Sequence, residues 1–156
     1  MSVLAVYDCM MFFMQAARPQ RVRETFQLVE EGKVTYCLSP PVLAEIRDVL
    51  TRPKHQSQFL QMTDEMVSAF LQEITRRSQF IQNVPEQYIL ARDPKDSKYI
   101  NLAIAAEAQY LVTRDADLLE LMNHSLPVGQ EFQQRFPRLK ITEPAVFVRN
   151  FQSSGS

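Results

Sequence analysis

The 156-residue chain contains no tryptophan, two histidines and two cysteines. Cys9 and Cys37 are too few for a disulfide framework, and no Cys/His spacing has the form of a zinc site. His55 and His124 stand alone, so histidine-centred catalysis has nothing to build on. A surplus of charge is also lacking. With a formal net charge of −1, the chain has no global attraction to nucleic acid or membrane, and a polyanionic partner would need a local basic patch. No apolar run approaches membrane-spanning length. The start, MSVLAVYD, shows no basic stretch followed by a long apolar segment, so no secretory leader is expected and the expected location is cytoplasmic. What remains is ordinary for a globular protein: 46% apolar and 22% charged residues. The length suits one domain, expected over 1–151, with a disordered tail at 152–156.

Taken in order, the chain alternates short β-prone runs with helical patterns. Val3 to Tyr7 reads as a buried strand ending at Asp8, and Cys9 to Ala17 as a helix broken by Arg18-Pro19. Val22, Phe26 and Val29 mark a helix closed by Gly32. Val34 to Leu38 is a second strand. Ser39 is an N-cap, Pro40-Pro41 opens a helix, and Val42, Ile46, Val49 and Leu50 form its apolar face around Glu45. Lys54 to Met62 is polar and expected to be loose, and Thr63-Asp64-Glu65 opens a further helix. Phe80 to Val84 is expected to be a strand, Leu139 to Thr142 a late strand, and Glu143 to Phe151 a terminal helix. This alternation predicts an α/β domain with a largely parallel sheet.

The stretch from Asp93 to Leu121, DPKDSKYINLAIAAEAQYLVTRDADLLEL, organises the rest. Two aspartates straddle Pro94, an alanine-rich helix runs from Ser97 to Ala108, a β-prone run covers Tyr110 to Thr113, and Asp115 and Asp117 lead into Leu118 to Met122. Strand ends and the helix starts beside them share one edge of a parallel sheet, where α/β folds build their sites. Asp8, Glu45, Asp96, Asp115 and Asp117 therefore converge on that edge. Clustered carboxylates repel one another unless a cation joins them, and an all-oxygen set suits Mg²⁺ or Mn²⁺. Taken singly, each acid has a plainer reading. An aspartate after a strand is commonly a turn or cap residue, Glu45 beside Arg47 is commonly solvated, and Asp93, Asp96 and Asp115 can cap helices. The recurrence of acids at successive strand ends favours the cation site. Leu102, Ile104 and Leu111 belong to the core.

With these residues in place, the sequence resembles the PIN-domain ribonucleases, including the toxins of bacterial toxin–antitoxin pairs. The segments that carry the resemblance are VYDCM at 6–10, SPPVLAEIRDVL at 39–50, DPKDSKYINLAIAAEAQYLVTRDADLL at 93–119 and ITEPAVFV at 141–148. The resemblance implies a three-layer α/β/α domain and Mg²⁺- or Mn²⁺-dependent cleavage of RNA, with a small antitoxin protein as partner. By position it makes Asp8, Glu45, Asp96 and Asp115 catalytic metal ligands. Asp117 becomes an additional carboxylate and Thr113 a supporting hydroxyl; Asp93 ranks behind Asp96. Where the family usually follows its first aspartate with small polar residues, this chain has Cys9 and Met10, which weakens support for the ligand and keeps a non-catalytic RNA-binding or interaction module open as the alternative. An aspartyl-phosphate enzyme using Asp8 would want a second aspartate two residues on, where Met10 stands. Arg114, Lys95 and Lys98 flank the acids and are candidates for phosphate contacts, although a solvated face is the commoner explanation for scattered cations. Phe70 on an exposed-looking helix face leads to the expectation of a homodimer.

Overall fold

A computed structural model of the chain describes residues 2–154. The order is β1 (Val3–Tyr7), α1 (Cys9–Ala17), α2 (Arg23–Glu30), β2 (Val34–Leu38), α3 (Pro40–Leu50), α4 (Pro53–Gln58) and α5 (Asp64–Arg77). Then come β3 (Gln79–Phe80), α6 (Ser97–Ala106), β4 (Tyr110–Val112), α7 (Ala116–Leu119), α8 (Pro127–Arg135), β5 (Lys140–Thr142) and α9 (Pro144–Ser154). The five strands form one sheet in the order β3-β2-β1-β4-β5, and all four pairings are parallel. Ala5 pairs with Tyr36 on one side and Tyr110 on the other.

The chain steps outward from β1 to β2 to β3, then returns to pair β4 on the other side of β1. Right-handed crossovers then place the helices between β1 and β3 on one face and those between β3 and β5 on the opposite face. Packing agrees with this. Because side chains alternate along a strand, Tyr7, Tyr36 and Tyr110 share a face. There Tyr7 meets Phe26 edge-on at 5.2 Å, and Phe147 of α9 meets Tyr7 at 6.0 Å and Tyr110 at 5.0 Å. Phe12 closes the cluster on Tyr36 at 5.1 Å. Tilted and edge-on pairs of this kind add about 0.5–1.5 kcal/mol each beyond the area they bury. On the other face α6 packs against β1, β2 and β4. The result is the parallel sheet that the sequence pattern predicts, in the three-layer α/β/α arrangement that the resemblance implies.

Local chemistry sets the ends of the elements. Asp8, Ser39 and Thr63 each accept a hydrogen bond from the backbone N–H three residues on, capping α1, α3 and α5. Gly32, at φ 76°, turns the chain from α2 into β2 in a conformation that glycine adopts without steric cost.

Four expectations need correction. Lys54 to Met62 is not loose: α4 occupies most of it, opened by Pro53. His55 lies 4.5 Å from Phe13 by ring centroid, Arg18 sits over the Phe59 ring at 5.2 Å, and Met62 is buried. The strand expected from Phe80 to Val84 is only Gln79–Phe80, because its sole partner β2 ends at Leu38, where Ser39 begins α3. The stretch between Met122 and Leu139 had no predicted element but contains α8, with Pro127 in its first turn. The terminal helix runs to Ser154, beyond Phe151; residues 155 and 156 of the expected tail lie outside the described residues. Phe70 is half-buried and packs against the core. Among the described residues no helix is long and apolar enough to cross a membrane.

Candidate metal centre

The point where the sheet order reverses lies between β1 and β4, and the candidate residues gather at the carboxyl ends of those two strands. Asp8 follows β1, and Thr113 and Asp115 follow β4. Asp96 ends a 3-10 turn, Pro94–Asp96, that leads directly into α6. Glu45 reaches in from α3. The approach to Asp93 is an extended segment without helix or strand from Ile81 to Leu90. It is held by α6 itself. The Asn101 Oδ1 accepts from the backbone N–H groups of Gln87 (2.8 Å) and Tyr88 (2.9 Å), its Nδ2 donates to the Tyr88 carbonyl (3.0 Å), and the Ser97 Oγ accepts from the Leu90 N–H (2.8 Å). One helix thus starts at an acid and anchors the loop that delivers the other.

Asp93, Asp96 and Asp115 each place a carboxylate oxygen within 4.8 Å of the others, and all three are half-buried. No lysine or arginine among the described residues forms a salt bridge with any of them. Neither Asp93 nor Asp96 makes a helix-capping hydrogen bond, so the plain capping role does not account for them. Asp115 does cap α7, accepting from the Asp117 N–H at 3.0 Å. Burial, a hydrogen bond with Asp115, and the charges of Asp115, Asp93 and Glu45 push the Asp96 carboxyl up to about 8. Carboxylates in this state would be relieved by a hard cation, and the all-oxygen donor set fits Mg²⁺ or Mn²⁺.

Asp8 and Glu45 border the trio but are differently supplied. Asp8 is buried; its Oδ1 accepts from the Met11 N–H at 3.1 Å and its Oδ2 from the Thr113 hydroxyl at 2.5 Å. Burial nevertheless raises its pKa, outweighing those bonds. With both oxygens engaged, Asp8 is poorly placed to act as a nucleophile. Thr113 Oγ1 also accepts from the Asp115 N–H at 3.0 Å, so one buried hydroxyl links the two strand-end acids. Glu45 takes the Lys98 ammonium at 2.5 Å on Oε2 and the Tyr99 hydroxyl on Oε1. Burial raises the Glu45 pKa, but bonds from Lys98, Tyr99 and Cys9 and the Lys98 charge more than offset it, leaving it below the usual value. The Cys9 thiol, pushed up to about 12 chiefly by burial, stays protonated.

The remaining expected residues take separate places. Asp117 lies 3.9 Å from Arg92, which also binds Glu120 at 2.5 Å, so it belongs to the rim rather than the trio. Lys98 is committed to Glu45. Arg114 lines the site cleft of about 330 Å³ together with Asp8, Met10, Asp96 and Asp115, and Lys95 is exposed in the neighbouring cleft with Pro94 and Lys98. Met10 is 51% exposed at the cleft mouth. Sequence reasoning ranked Asp93 behind Asp96, yet the two stand together. It missed Tyr99, whose position three residues after Asp96 puts both on one side of α6 and was the available signal. A larger cleft, about 840 Å³, lies between α2 and α5 and is lined by Phe26, Phe70 and Arg77, but it contains none of the acids of the trio.

A PIN domain family model matches residues 7–117. Among solved structures, VapBC2 from Rickettsia felis, bound to a DNA fragment from its promoter, is similar at 15% identity and a TM-score of 0.54, covering 90% of this chain and 98% of that one. PAE2754 from Pyrobaculum aerophilum is similar at 13% identity with the same TM-score of 0.54, covering 97% and 90%. No curated protein sequence matches the chain.

Proposed function

The chain belongs to the PIN-domain family, and from that premise we propose that it is a metal-dependent endoribonuclease that hydrolyses RNA phosphodiester bonds. The observation that carries this reading is the trio Asp93, Asp96 and Asp115, brought within 4.8 Å with no salt bridge to a lysine or arginine among the described residues. In this reading Asp93, Asp96 and Asp115 hold Mg²⁺ or Mn²⁺, and Asp8 and Glu45 complete the acidic wall at the same sheet edge. The ion supplies the charge that activates water and stabilises the leaving oxygen of a phosphodiester. Thr113 keeps Asp8 and the start of α7 in register. Arg114, on the rim of the cleft, is placed to contact a phosphate of the substrate, with Lys95 further along.

The biological role we propose is that of the toxin in a toxin–antitoxin pair, acting in the cytoplasm with a small antitoxin protein as partner and pairing as a homodimer. The likeness to VapBC2 from Rickettsia felis, solved bound to its promoter DNA, supports this reading, and a small DNA-binding protein encoded immediately upstream would support it further. A catalytically silent RNA-binding or interaction module is the second reading. It is favoured by Cys9 and Met10, which put a protonated thiol and an exposed thioether where polar support would stand.

One experiment separates the two readings. Purified protein is expected to cut RNA with Mg²⁺ or Mn²⁺ and not with EDTA, and Asp96→Asn and Asp115→Asn are each expected to abolish cutting while melting cooperatively. Metal-stimulated cutting retained in both variants would refute the site assignment. A wild type that binds RNA but never cuts it would favour the second reading.

A further inference from the structure

We propose that Tyr99 is a positioning residue for this site. Its hydroxyl fixes the Glu45 carboxylate against the start of α1, and so governs how well the acidic wall engages a divalent ion. The inference rests on the nuclease reading above. Tyr99 is 1% exposed, so its ring is core. Ring packing alone needs no hydroxyl, and a phenylalanine would fill the same space. The oxygen instead joins three elements. It sits on α6, donates to Glu45 Oε1 of α3, and accepts from the Cys9 N–H of α1 at 3.2 Å. These three elements carry Asp96, Glu45 and, one residue before Cys9, Asp8.

Glu45 needs such a tie. A glutamate has three rotatable bonds, and the Glu45 side chain is 22% exposed, so packing alone does not select its rotamer. Lys98 holds the other oxygen at 2.5 Å, but a flexible ammonium gives attraction without a fixed direction. Tyr99, locked in the core, supplies the direction. Outer-shell partners of this kind orient the groups that face a metal.

The test uses Tyr99→Phe, which removes one oxygen and keeps the ring. Mn²⁺ affinity is measured by calorimetry without RNA, and cleavage of single-stranded RNA gives kcat and KM separately. The expected result is a loss of roughly 10- to 100-fold in Mn²⁺ affinity or kcat, with KM for RNA and cooperative melting close to wild type. Because Tyr99 acts through Glu45, the double variant with Glu45→Gln is expected to be no worse than Glu45→Gln alone. Should Tyr99→Phe fail to fold, Glu45→Asp withdraws the carboxylate from the hydroxyl by one methylene and is expected to show the same loss. A wild type that binds Mn²⁺ and cuts RNA, beside a Tyr99→Phe or fallback Glu45→Asp protein indistinguishable from it, overturns this proposal and leaves the nuclease reading standing. Losses that multiply in the double variant also overturn it. A wild type that neither binds millimolar Mn²⁺ nor cuts RNA removes the nuclease reading itself, and this proposal with it.

Discussion

Two groups of acids meet at one edge of the sheet, and they are provided for in opposite ways. Asp8 and Glu45 are surrounded by donors from their own chain: a backbone N–H and the Thr113 hydroxyl for one, Lys98 and Tyr99 for the other. Asp93, Asp96 and Asp115 face one another, with the Asp117 N–H on Asp115, a hydrogen bond between Asp96 and Asp115, and no salt bridge to a cationic side chain among the described residues. Burying charge without compensation is expensive, and folded proteins ordinarily avoid it. The contrast shows that the fold can satisfy acids at this edge and does so for two of them. The three it leaves without a cationic partner among the described residues are those on which a cation would act.

The sharpest way to break the contrast is to remove a member of the trio. Saturating Mn²⁺ at a hundredfold excess over Kd should stabilise the wild type by about 2.7 kcal/mol, which for a domain of this size raises the melting temperature by roughly 5–13 °C. Asp96→Asn should gain much less. A melting curve indifferent to millimolar Mn²⁺ would mean that the trio is not a cation site.

The satisfied group should respond differently. Thr113→Val keeps the shape of a fully buried side chain but takes the hydroxyl from Asp8. It should cost about 1.5–3 kcal/mol, the range for a hydrogen bond to a charged group. The cost should appear as a lower urea midpoint with an unchanged slope, and Mn²⁺ should not restore it. Restoration by the metal would place Asp8 among the direct ligands instead. Asn101→Ala sits between the groups, because it frees the Gln87 and Tyr88 N–H groups that lead to Asp93. It should cost about 1–3 kcal/mol and open the segment from Ile81 to Leu90 to limited proteolysis before the rest of the domain.

A further effect is on pH. The Asp96 carboxyl lies at about 8 in the folded chain against an ordinary 3.8, so the folded state holds a proton that the unfolded state releases. Its contribution to stability is therefore fully present below about 4 and is lost as pH rises through about 8. Asp8 shifts in the same direction. Glu45 shifts the other way, and its contribution fades only as pH falls below its ordinary range. In EDTA the melting temperature should decline from pH 5 to pH 9, and Asp96→Asn should flatten the decline and melt above wild type at the alkaline end. An unchanged slope in the variant would assign the titration elsewhere.

How much of this was legible in the sequence differs by element. β1, β2, β4 and α6 carry strong periodic signals and end at acids, and the edge they share could be read from residue order. α4 and α8 could not be read that way. Their anchors are a few aromatic contacts, His55 and Phe59 on Phe13 and Phe132 against Tyr88 and Phe136, rather than an apolar stripe. α8 also depends on contact that no periodicity encodes: a Cβ at Gly129 would lie 2.1 Å from the Asn123 carbonyl oxygen. In the site, residue type and spacing pointed to the acids but could not tell which would receive donors. That depends on rotamers, and Lys98, set down as a phosphate contact, turned to Glu45.

Helix α6 serves three surfaces at once. Asp96, at its mouth, and Tyr99 face the acids, Ser97 and Asn101 hold the incoming loop, and Ile100 and Ala103 lie buried on the sheet side. These duties are separated only by rotation about one axis, about 100° per residue. The helix therefore acts as a ruler whose length cannot vary. Inserting or deleting a single residue between Asp96 and Ala103 would turn every later side chain onto the wrong surface and shift it along the axis by about 1.5 Å. Substitutions here can be tolerated one at a time, but gaps cannot. Natural variation in chain length should collect in the segment before Asp93 and in the turn from Asn123 to Leu126, leaving the interval within α6 constant.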